Sequence, residues 1–342
     1  MKKTIPVEQA VGMVLPHDVT EIVKDEFKGR AFRKGHIIRA EDIEHLRRLG
    51  KNHIYVLELG ADEIHENEAA RRMATALAGE GVEFAGEVVE GKISLIAARD
   101  GLLKVNEERL LRFNLLGEVM CATLQGDTPV RKGDQVAATR LIPLVADRSL
   151  VEEAVAVAGT GEEGLIRVLP LRRVRAGLVI TGDEVFYGRI EDRFEQVLRD
   201  KLAELGSEVA MVVFAPDDPA RIAAAIRECL DAGAELIVTS GGMSVDPDDV
   251  TRLGIAEAGA VDMVYGTPVL PGAMFMVARI GEIPVLGLPA CGMFHRITVF
   301  DLVLPRILSG ETIGRRELAA MGHGGLCRNC ARCQYPVCSF GK

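Results

Sequence analysis

The stretch Leu236-Ile237-Val238-Thr239-Ser240-Gly241-Gly242-Met243-Ser244-Val245 is a short apolar run that ends in hydroxyls and paired glycines. A run of this kind, with no polar residue on either face, reads as a strand buried on both sides, as parallel sheets require. The two glycines after it let backbone N–H groups approach an anion without a Cβ in the way, and Thr239, Ser240 and Ser244 add hydroxyl donors. Ligands of open α/β sheets bind beyond the carboxyl ends of the strands, so this turn is where a phosphate is expected.

The flanking sequence keeps the same grammar. Val174 to Ile180 reads as an apolar strand running into Thr181-Gly182-Asp183-Glu184, and 192–205 as a helix with Phe194, Val197, Leu198, Leu202 and Leu205 on one stripe and Gly206 as its stop. Val209 to Phe214 reads as a buried strand. Asp218 is expected to cap the next helix, with Pro219 in its first turn and Ile222, Ile226, Cys229 and Leu230 on its inner face. Asp217 beside it is assigned to the start of the same helix. Ile283 to Leu288 reads as another strand, followed by Pro289-Ala290-Cys291-Gly292, and Phe294 to Leu308 as a closing helix interrupted by Pro305. Alternation at this length predicts an α/β domain over 169-310, a parallel sheet with helices on both faces.

Carboxylates gather along the same edge: Asp183 and Glu184 after the first strand, Asp192 near the helix start, and Asp246, Asp248 and Asp249 ahead of a helix expected over Val250 to Ala258. Mg2+ commonly takes one or two carboxylates together with ligand phosphates and water. Helix capping accounts for at least one of the last three acids. Asp183 and Glu184 have no such duty and are candidates for contact with ligand or metal.

Upstream, 1-65 reads as an α+β segment, with turns at Pro16, Gly29 and Gly35, a helix through Ile43, Leu46 and Leu49 closed by Gly50, and a strand at His53 to Leu57. In 66-168 a helix from Glu66 to Leu77 precedes apolar/polar alternation from Glu83 to Leu144, broken by turns at Gly91, Asp100-Gly101, Gly126-Asp127 and Lys132-Gly133-Asp134, which predicts a small antiparallel β-domain. A length of 342 residues suits two or three domains, and 48% hydrophobic with 27% charged residues is the composition of folded protein. The start meets Pro6 and Glu8 before any apolar run, and the apolar stretch 269–294 is cut by Pro271, Arg279, Glu282, Pro284 and Pro289. Neither a signal peptide nor a membrane span is expected, and the location expected is cytoplasmic. A net charge of -9 with 4% aromatic residues and no Trp argues against nucleic acid as a partner.

Thr181 to Glu184, Ile190 to Asp192, Pro216 to Asp218, Thr239 to Val245, Pro271-Gly272 and Gly287 to Pro289, in that order, resemble the molybdopterin-binding domain of the molybdenum-cofactor biosynthesis family. Over about 170–310 the chain looks most like the molybdopterin molybdotransferase (molybdenum insertase) branch, whose additional N-terminal domains would correspond to 1–168. The resemblance implies molybdopterin or its adenylylated form as ligand, with its phosphate in the loop Thr239, Ser240, Gly241, Gly242, Met243 and Ser244, and with Thr181, Gly182, Asp246, Asp249, Pro271, Gly272, Leu288 and Pro289 around it. It implies Mg2+ on Asp183, Glu184 and Asp192 as the catalytic acids, a homodimer, and an apo-molybdoenzyme as a recipient. Insertases usually carry Lys-Pro-Gly-Lys where this chain has Leu270-Pro271-Gly272-Ala273, and Gly-Leu-Pro-Gly-Asn-Pro-x-Ser where it has Gly287-Leu288-Pro289-Ala290-Cys291-Gly292-Met293-Phe294. No lysine lies between Lys201 and Lys342 to replace the two ammonium groups. Molybdopterin binding is therefore expected with weak or absent insertion. The alternatives are a non-catalytic cofactor or metal sensor or carrier, and a phosphate-ester hydrolase on the same fold.

The last part, 311-342, holds Cys327, Cys330, Cys333 and Cys338 in the pattern Cys-x2-Cys-x2-Cys-x4-Cys. Four thiols this close in a cytoplasmic chain point to soft-metal ligation, either Zn2+ in a closed site or a [4Fe-4S] cluster. The four-residue final gap and the lack of Pro after the last cysteine favour zinc, with Tyr335-Pro336 as a rigid knuckle. Gly310, Gly314 and Gly322 to Gly325 predict that this tail is a tethered module. Cys121 and Cys229 sit in apolar sequence and are expected to be buried.

Overall fold

A computed structural model describes residues 2–23, 27–57, 59–159 and 164–341. The chain divides into one unit formed by Met1–Arg99, Val105–Leu124 and Arg131–Val168, and another formed by Asp100–Lys104, Gln125–Val130 and Leu169–Lys342.

The first unit begins with β1 (Lys2–Pro6), β2 (Val19–Val23), β3 (Phe27–Phe32), α1 (Asp42–Arg48) and β4 (His53–Leu57). β1 pairs antiparallel with β4, and β2 with β3, around a core of Val7, Leu15, Ile38 and Leu46. Next come α2 (Glu66–Leu77), β5 (Val82–Val89), β6 (Lys92–Ala97), α3 (Glu107–Asn114), β7 (Val119–Thr123), β8 (Gln135–Leu141) and α4 (Arg148–Ala158). Their four strands form an antiparallel sheet in the order β5-β6-β8-β7, as the alternation predicts. Ala70 and Ala74 of α2 cluster with Ile93, which places the helix over one face. The helix α3 is not foreseen from the sequence; Asn106 caps it by accepting from the Arg109 amide.

The second unit carries β9 (Arg175–Thr181), α5 (Asp183–Phe186), α6 (Phe194–Glu204), β10 (Glu208–Ala215), α7 (Pro219–Asp231), β11 (Leu236–Ser240), α8 (Thr251–Glu257), β12 (Val261–Tyr265), β13 (Met276–Ile280), β14 (Ile283–Leu288), α9 (Val299–Leu308) and α10 (Arg315–Ala320). Its sheet runs β10-β9-β11-β14-β13-β12. The first four strands are parallel. Period-two alternation sends Leu178, Ile180, Leu236 and Val238 into a core with Phe194, Leu198 and Leu202 of α6 and Phe300 and Val303 of α9. Val179 and Ile237 go the other way, against Ile222, Ile226 and Cys229 of α7 and Ile255 of α8. The α/β layering is therefore as the sequence predicts.

Three details differ. β12 and β13 extend the sheet antiparallel, because Gly281-Glu282 joins β13 to β14 as a tight hairpin with no room for a crossover helix. β10 is an edge strand rather than a buried one, with Phe214 39% exposed. The closing helix starts at Val299 instead of Phe294, where Thr298 and Asp301 make a capping box, and Pro305 lies within it without ending it.

The cysteine-bearing segment is not a tethered module. Phe340 is 3% exposed and belongs to the core formed by α6 and α9, with Cys327, Tyr335 and Cys338 packed against it. Leu326 bridges Leu270 in parallel, so both backbone and an aromatic side chain hold the segment to the unit. Residues 100–104 and 125–130 are tied in by charge: Lys104 pairs with Asp127 and Glu311, and Arg306 with Asp127 and Glu311. Among the described residues no helix is long and apolar enough to cross a membrane.

Candidate functional site

The carboxyl ends of β9, β10, β11 and β14 open into four loops. Thr181, the last residue of β9, donates from Oγ1 to the Ser240 carbonyl at 2.9 Å and lies 2.8 Å from Thr251 Oγ1 at the start of α8. The glycine loop is thereby clamped from two sides. Gly241 has φ +88° and a Cβ there would stand 2.5 Å from the Thr181 carbonyl oxygen; Gly242 has φ +55° and a Cβ would overlap Thr251 Oγ1. Only glycine satisfies both conformation and space at these positions. The Gly241 amide donates to the Leu288 carbonyl at 3.3 Å, which joins this loop to the end of β14.

Thr239 and Ser240 are fully buried. Among the described residues Ser240 Oγ has no hydrogen-bond partner, whereas Thr239 Oγ1 reaches the Leu286 carbonyl at 3.4 Å. Met243 departs from its expected place, since it is 2% exposed and packs into the core under Gly287. Its carbonyl accepts from Tyr265 OH at 2.7 Å, and the Arg252 guanidinium lies 4.1 Å from the centre of the Tyr265 ring with Nε buried and unpartnered. Thr251, Arg252 and Tyr265 thus shape the loop, and nothing in the sequence between Val245 and Leu288 pointed to them.

The acids are sorted more sharply by the structure. Asp183 and Asp217 make a reciprocal pair: the Asp183 amide donates to Asp217 Oδ2 at 3.0 Å, and the Asp217 amide to Asp183 Oδ1 at 3.1 Å. Asp217 Oδ1 is buried without a partner. Burial, followed by the charges of Asp183, Glu184 and Asp249, raises the Asp217 carboxyl above its ordinary pKa against the pull of the Asp183 amide. Asp217 was assigned by sequence to the helix start, yet Asp218 alone does that work, accepting from the Arg221 amide at 2.9 Å. The signal available was that one helix needs only one capping acid.

Asp192 moves the opposite way. Its two oxygens accept from the Phe194 and Glu195 amides at 3.0 and 2.9 Å, which commits the carboxylate to the first turn of α6. Asp249 accepts from the Asp246 amide at 3.1 Å, closing the loop before α8, and Asp246 itself is exposed. Glu184 folds back over Gly182, its Oε2 3.3 Å from the position of a Cβ there.

Pro271 and Gly272 are held structurally. The Pro271 carbonyl accepts from the Val299 amide at 3.3 Å, and Gly272 lies against the Val299 side chain. The Leu270 amide donates to the Gly325 carbonyl at 2.8 Å and its carbonyl accepts from the Cys327 amide at 2.8 Å. Leu288 is a core residue at 3% exposure, and Pro289 precedes a single helical turn over Ala290–Met293. Lys201 is committed to Asp301 and to the Arg296 carbonyl.

Among the described residues no three His, Cys, Asp or Glu side chains are gathered to hold a metal, the tail cysteines included. The expectation of a Zn2+ or [4Fe-4S] centre on Cys327, Cys330, Cys333 and Cys338 therefore finds no support in the arrangement. Cys327 and Cys338 lie against the apolar core, and Cys327 Sγ accepts from the Asn329 amide at 3.4 Å. Burying Phe340 and Tyr335 is what orders this segment.

Comparison with known proteins bears on the same region. A family model described as "Probable molybdopterin binding domain" matches residues 177–309, and one described as a domain of unknown function matches residues 4–58. The CinA-like protein of Mycobacterium tuberculosis (strain ATCC 25177 / H37Ra) is 48% identical over 77 residues, 22% of this chain and 18% of that protein. The CinA-like protein of Mycobacterium sp. (strain MCS) is 41% identical over 93 residues, 27% of this chain and 22% of that protein. The chain thus spans about a fifth of the length of these curated relatives. Among solved structures, the molybdopterin biosynthesis enzyme MoaB of Thermus thermophilus is 25% identical with a TM-score of 0.35, covering 40% of this chain and 98% of that one. The molybdopterin biosynthesis MoeA protein of Pyrococcus horikosii is 17% identical with a TM-score of 0.34, covering 75% and 80%. Through the family match, residues 177–309 of the second unit carry a domain of the kind described as "Probable molybdopterin binding domain".

Proposed function

We propose that this unit binds molybdopterin with its phosphate on the loop from Ser240 to Ser244, and that the protein serves molybdenum-cofactor biosynthesis or delivery as a binder rather than as an efficient insertase. The observation that carries the reading is the fully buried, unpartnered Ser240 Oγ beside two glycines whose conformation and close packing admit no side chain. An unpaired hydroxyl in a closed strand end costs about 1–3 kcal/mol unless a ligand or water completes it. A phosphate oxygen supplies that partner.

The pair Asp183 and Asp217 suits Mg2+ by its chemistry. Asp217 Oδ1 is orphaned among Asp183, Glu184 and Asp249, whose mutual repulsion a cation would relieve. One or two protein carboxylates suffice for this ion when phosphate oxygens and water complete its shell. Asp183 and Asp217 are the residues that would hold it, and there it would screen the charge of the phosphate. The binder reading rests on Leu270 and Ala273, which offer no cation, and on Lys201, which is already paired with Asp301.

Titration calorimetry of the purified protein with molybdopterin, with and without Mg2+, tests the proposal. Saturable binding strengthened by Mg2+ and weakened by Ser244→Ala and Asp183→Asn is expected. Absence of binding, or binding indifferent to both substitutions, would sink it. A parallel assay of molybdate insertion into adenylylated molybdopterin is expected to show little turnover, and fast unaided insertion would overturn the binder reading alone.

A further inference from the structure

The sheet of the first unit carries a charged hollow that the reading above does not use. On β6, Ile93, Leu95 and Ala97 are buried toward the side of α2, so Lys92 and Ser94 face the other way. The register of β8 sets Arg140 directly opposite Lys92 and Ala138 opposite Ser94; β5 sets Ala85 opposite Ser94. Two small neighbours around a serine leave a depression there. A cavity of about 270 Å3 opens at this place, bordered by Lys92, Ser94 and Arg140 on one side and by Glu87 and Glu90 on the other.

Two cations directly across a strand pair repel each other, and natural sheets usually answer that with an opposite charge. Among the described residues none answers within ion-pair distance here. Among the described residues Lys92 has no ion pair or hydrogen bond from its side chain, and Arg140 makes only a 3.4 Å contact from Nε to the Leu141 carbonyl. The buried Glu66 attracts Arg140 at longer range. Glu90 is directed elsewhere, accepting from Thr20 Oγ1 at 2.5 Å. The hollow therefore presents an ammonium, a guanidinium fork and a hydroxyl converging on space, with Glu87 left to accept from a donor.

We propose that this hollow is a binding site for a small organic phosphate, the phosphoryl oxygens taken by Lys92, Arg140 and Ser94 and a hydroxyl or amine of the same molecule by Glu87. A guanidinium and an ammonium together suit a tetrahedral oxyanion, which the first engages through two parallel N–H bonds and the second as a point charge. The volume leaves room beyond one phosphoryl group, and Glu87 would repel a bare anion unless the ligand brings a donor to it.

The test is calorimetry of the full chain at low ionic strength with glucose 6-phosphate, inorganic phosphate and glucose. Saturable binding of glucose 6-phosphate, weakened about tenfold or more by Lys92→Gln and by Arg140→Gln, is expected. Ser244→Ala, in the glycine loop of the other unit, is expected to leave that binding unchanged, which separates this site from the molybdopterin site. Tighter binding of glucose 6-phosphate than of inorganic phosphate supports an ester as the ligand; inorganic phosphate binding as tightly or more tightly overturns that assignment. The proposal is overturned if neither phosphate binds saturably, if glucose binds as well as its phosphate, or if binding survives both substitutions.

Discussion

Asp217→Asn separates the charge of the acid cluster from its shape. Asparagine keeps an oxygen to accept from the Asp183 amide, so the 3.0 Å contact that ties the two loops together is retained. What it removes is one negative charge felt by Asp183, Glu184 and Asp249. The site is partly open to solvent, which screens such repulsion to about 0.2–1 kcal/mol. The free protein is therefore expected to gain about 0.5 kcal/mol, or roughly 1–2 °C in Tm for a unit of this size. The sign with pH follows from the raised pKa. The wild-type carboxyl gives up stability as pH rises through its folded pKa, so the gain appears at neutral pH and vanishes in acid where Asp217 is protonated. Binding is expected to move the other way, because the charged oxygen that the proposed function offers to Mg2+ is lost, at about 1.5–3 kcal/mol or 10- to 150-fold. Scanning calorimetry of the free protein between pH 4 and 8, as an order-of-magnitude window around the carboxylate range, and titration with molybdopterin and Mg2+ read the two effects. A variant that melts lower at neutral pH and binds as wild type would refute the assignment.

Phe340→Ala removes a side chain that is 3% exposed and is expected to cost about 3–5 kcal/mol, a fall in Tm of roughly 6–20 °C, whereas a tail that did not contribute to the core would leave Tm unchanged. Gly242→Ala places a Cβ on Thr251 Oγ1 at φ +55° and is expected to cost about 1–3 kcal/mol and to weaken molybdopterin binding at least tenfold by the same loop strain; wild-type affinity in titration would contradict the clamp described here. Glu311 is opposed by burial but held below its ordinary pKa by Arg306 and Lys104, so its contribution is present above the unfolded carboxyl value and lost as pH falls through the folded one. Glu311→Gln is accordingly expected to lower stability by about 1 kcal/mol at neutral pH, after allowance for solvent screening, and by little in strong acid, as urea titrations at the two pH values would show.

The α/β unit was legible where burial leaves no choice. Leu236 to Val238 admits no polar face, and Thr181, Gly241 and Gly242 stand at strand ends, where sheet geometry leads to the expectation of a ligand. Residues whose role depends on what lies opposite were not legible. Asp217 and Asp218 are identical side by side, and only the loop after β9 decides that the first is turned to Asp183 while the second caps α7. Asp192 has the spacing of a site acid and the hydrogen bonds of a helix cap. β12 is not legible because Val261 to Tyr265 lies on an exposed edge, where apolar and polar residues mix without a clear period. Phe340 stands alone among cysteines and glycines, and its burial is a tertiary fact that local pattern does not carry.

The segment Leu270-Pro271-Gly272-Ala273 joins these threads. Insertases are expected to present two ammonium groups at this place, and here the backbone has been given other duties. Leu270 uses its amide and carbonyl on Gly325 and Cys327, Pro271 its carbonyl on Val299, and Gly272 packs on the same valine. Replacing two charge-assisted contacts by an aliphatic side chain and a methyl forfeits about 1.5–3 kcal/mol each wherever an oxyanion would have met them. Such a loss would fall on a step in which charge develops, and it leaves the glycine loop untouched, since Ser240, Gly241 and Gly242 are anchored to Thr181, Thr251 and Leu288 instead. Under the proposed function, a protein built this way is expected to keep its grip on a phosphate and to lack that stabilisation of oxyanion chemistry. Holding and releasing the cofactor is the work that this proposal expects of such a site.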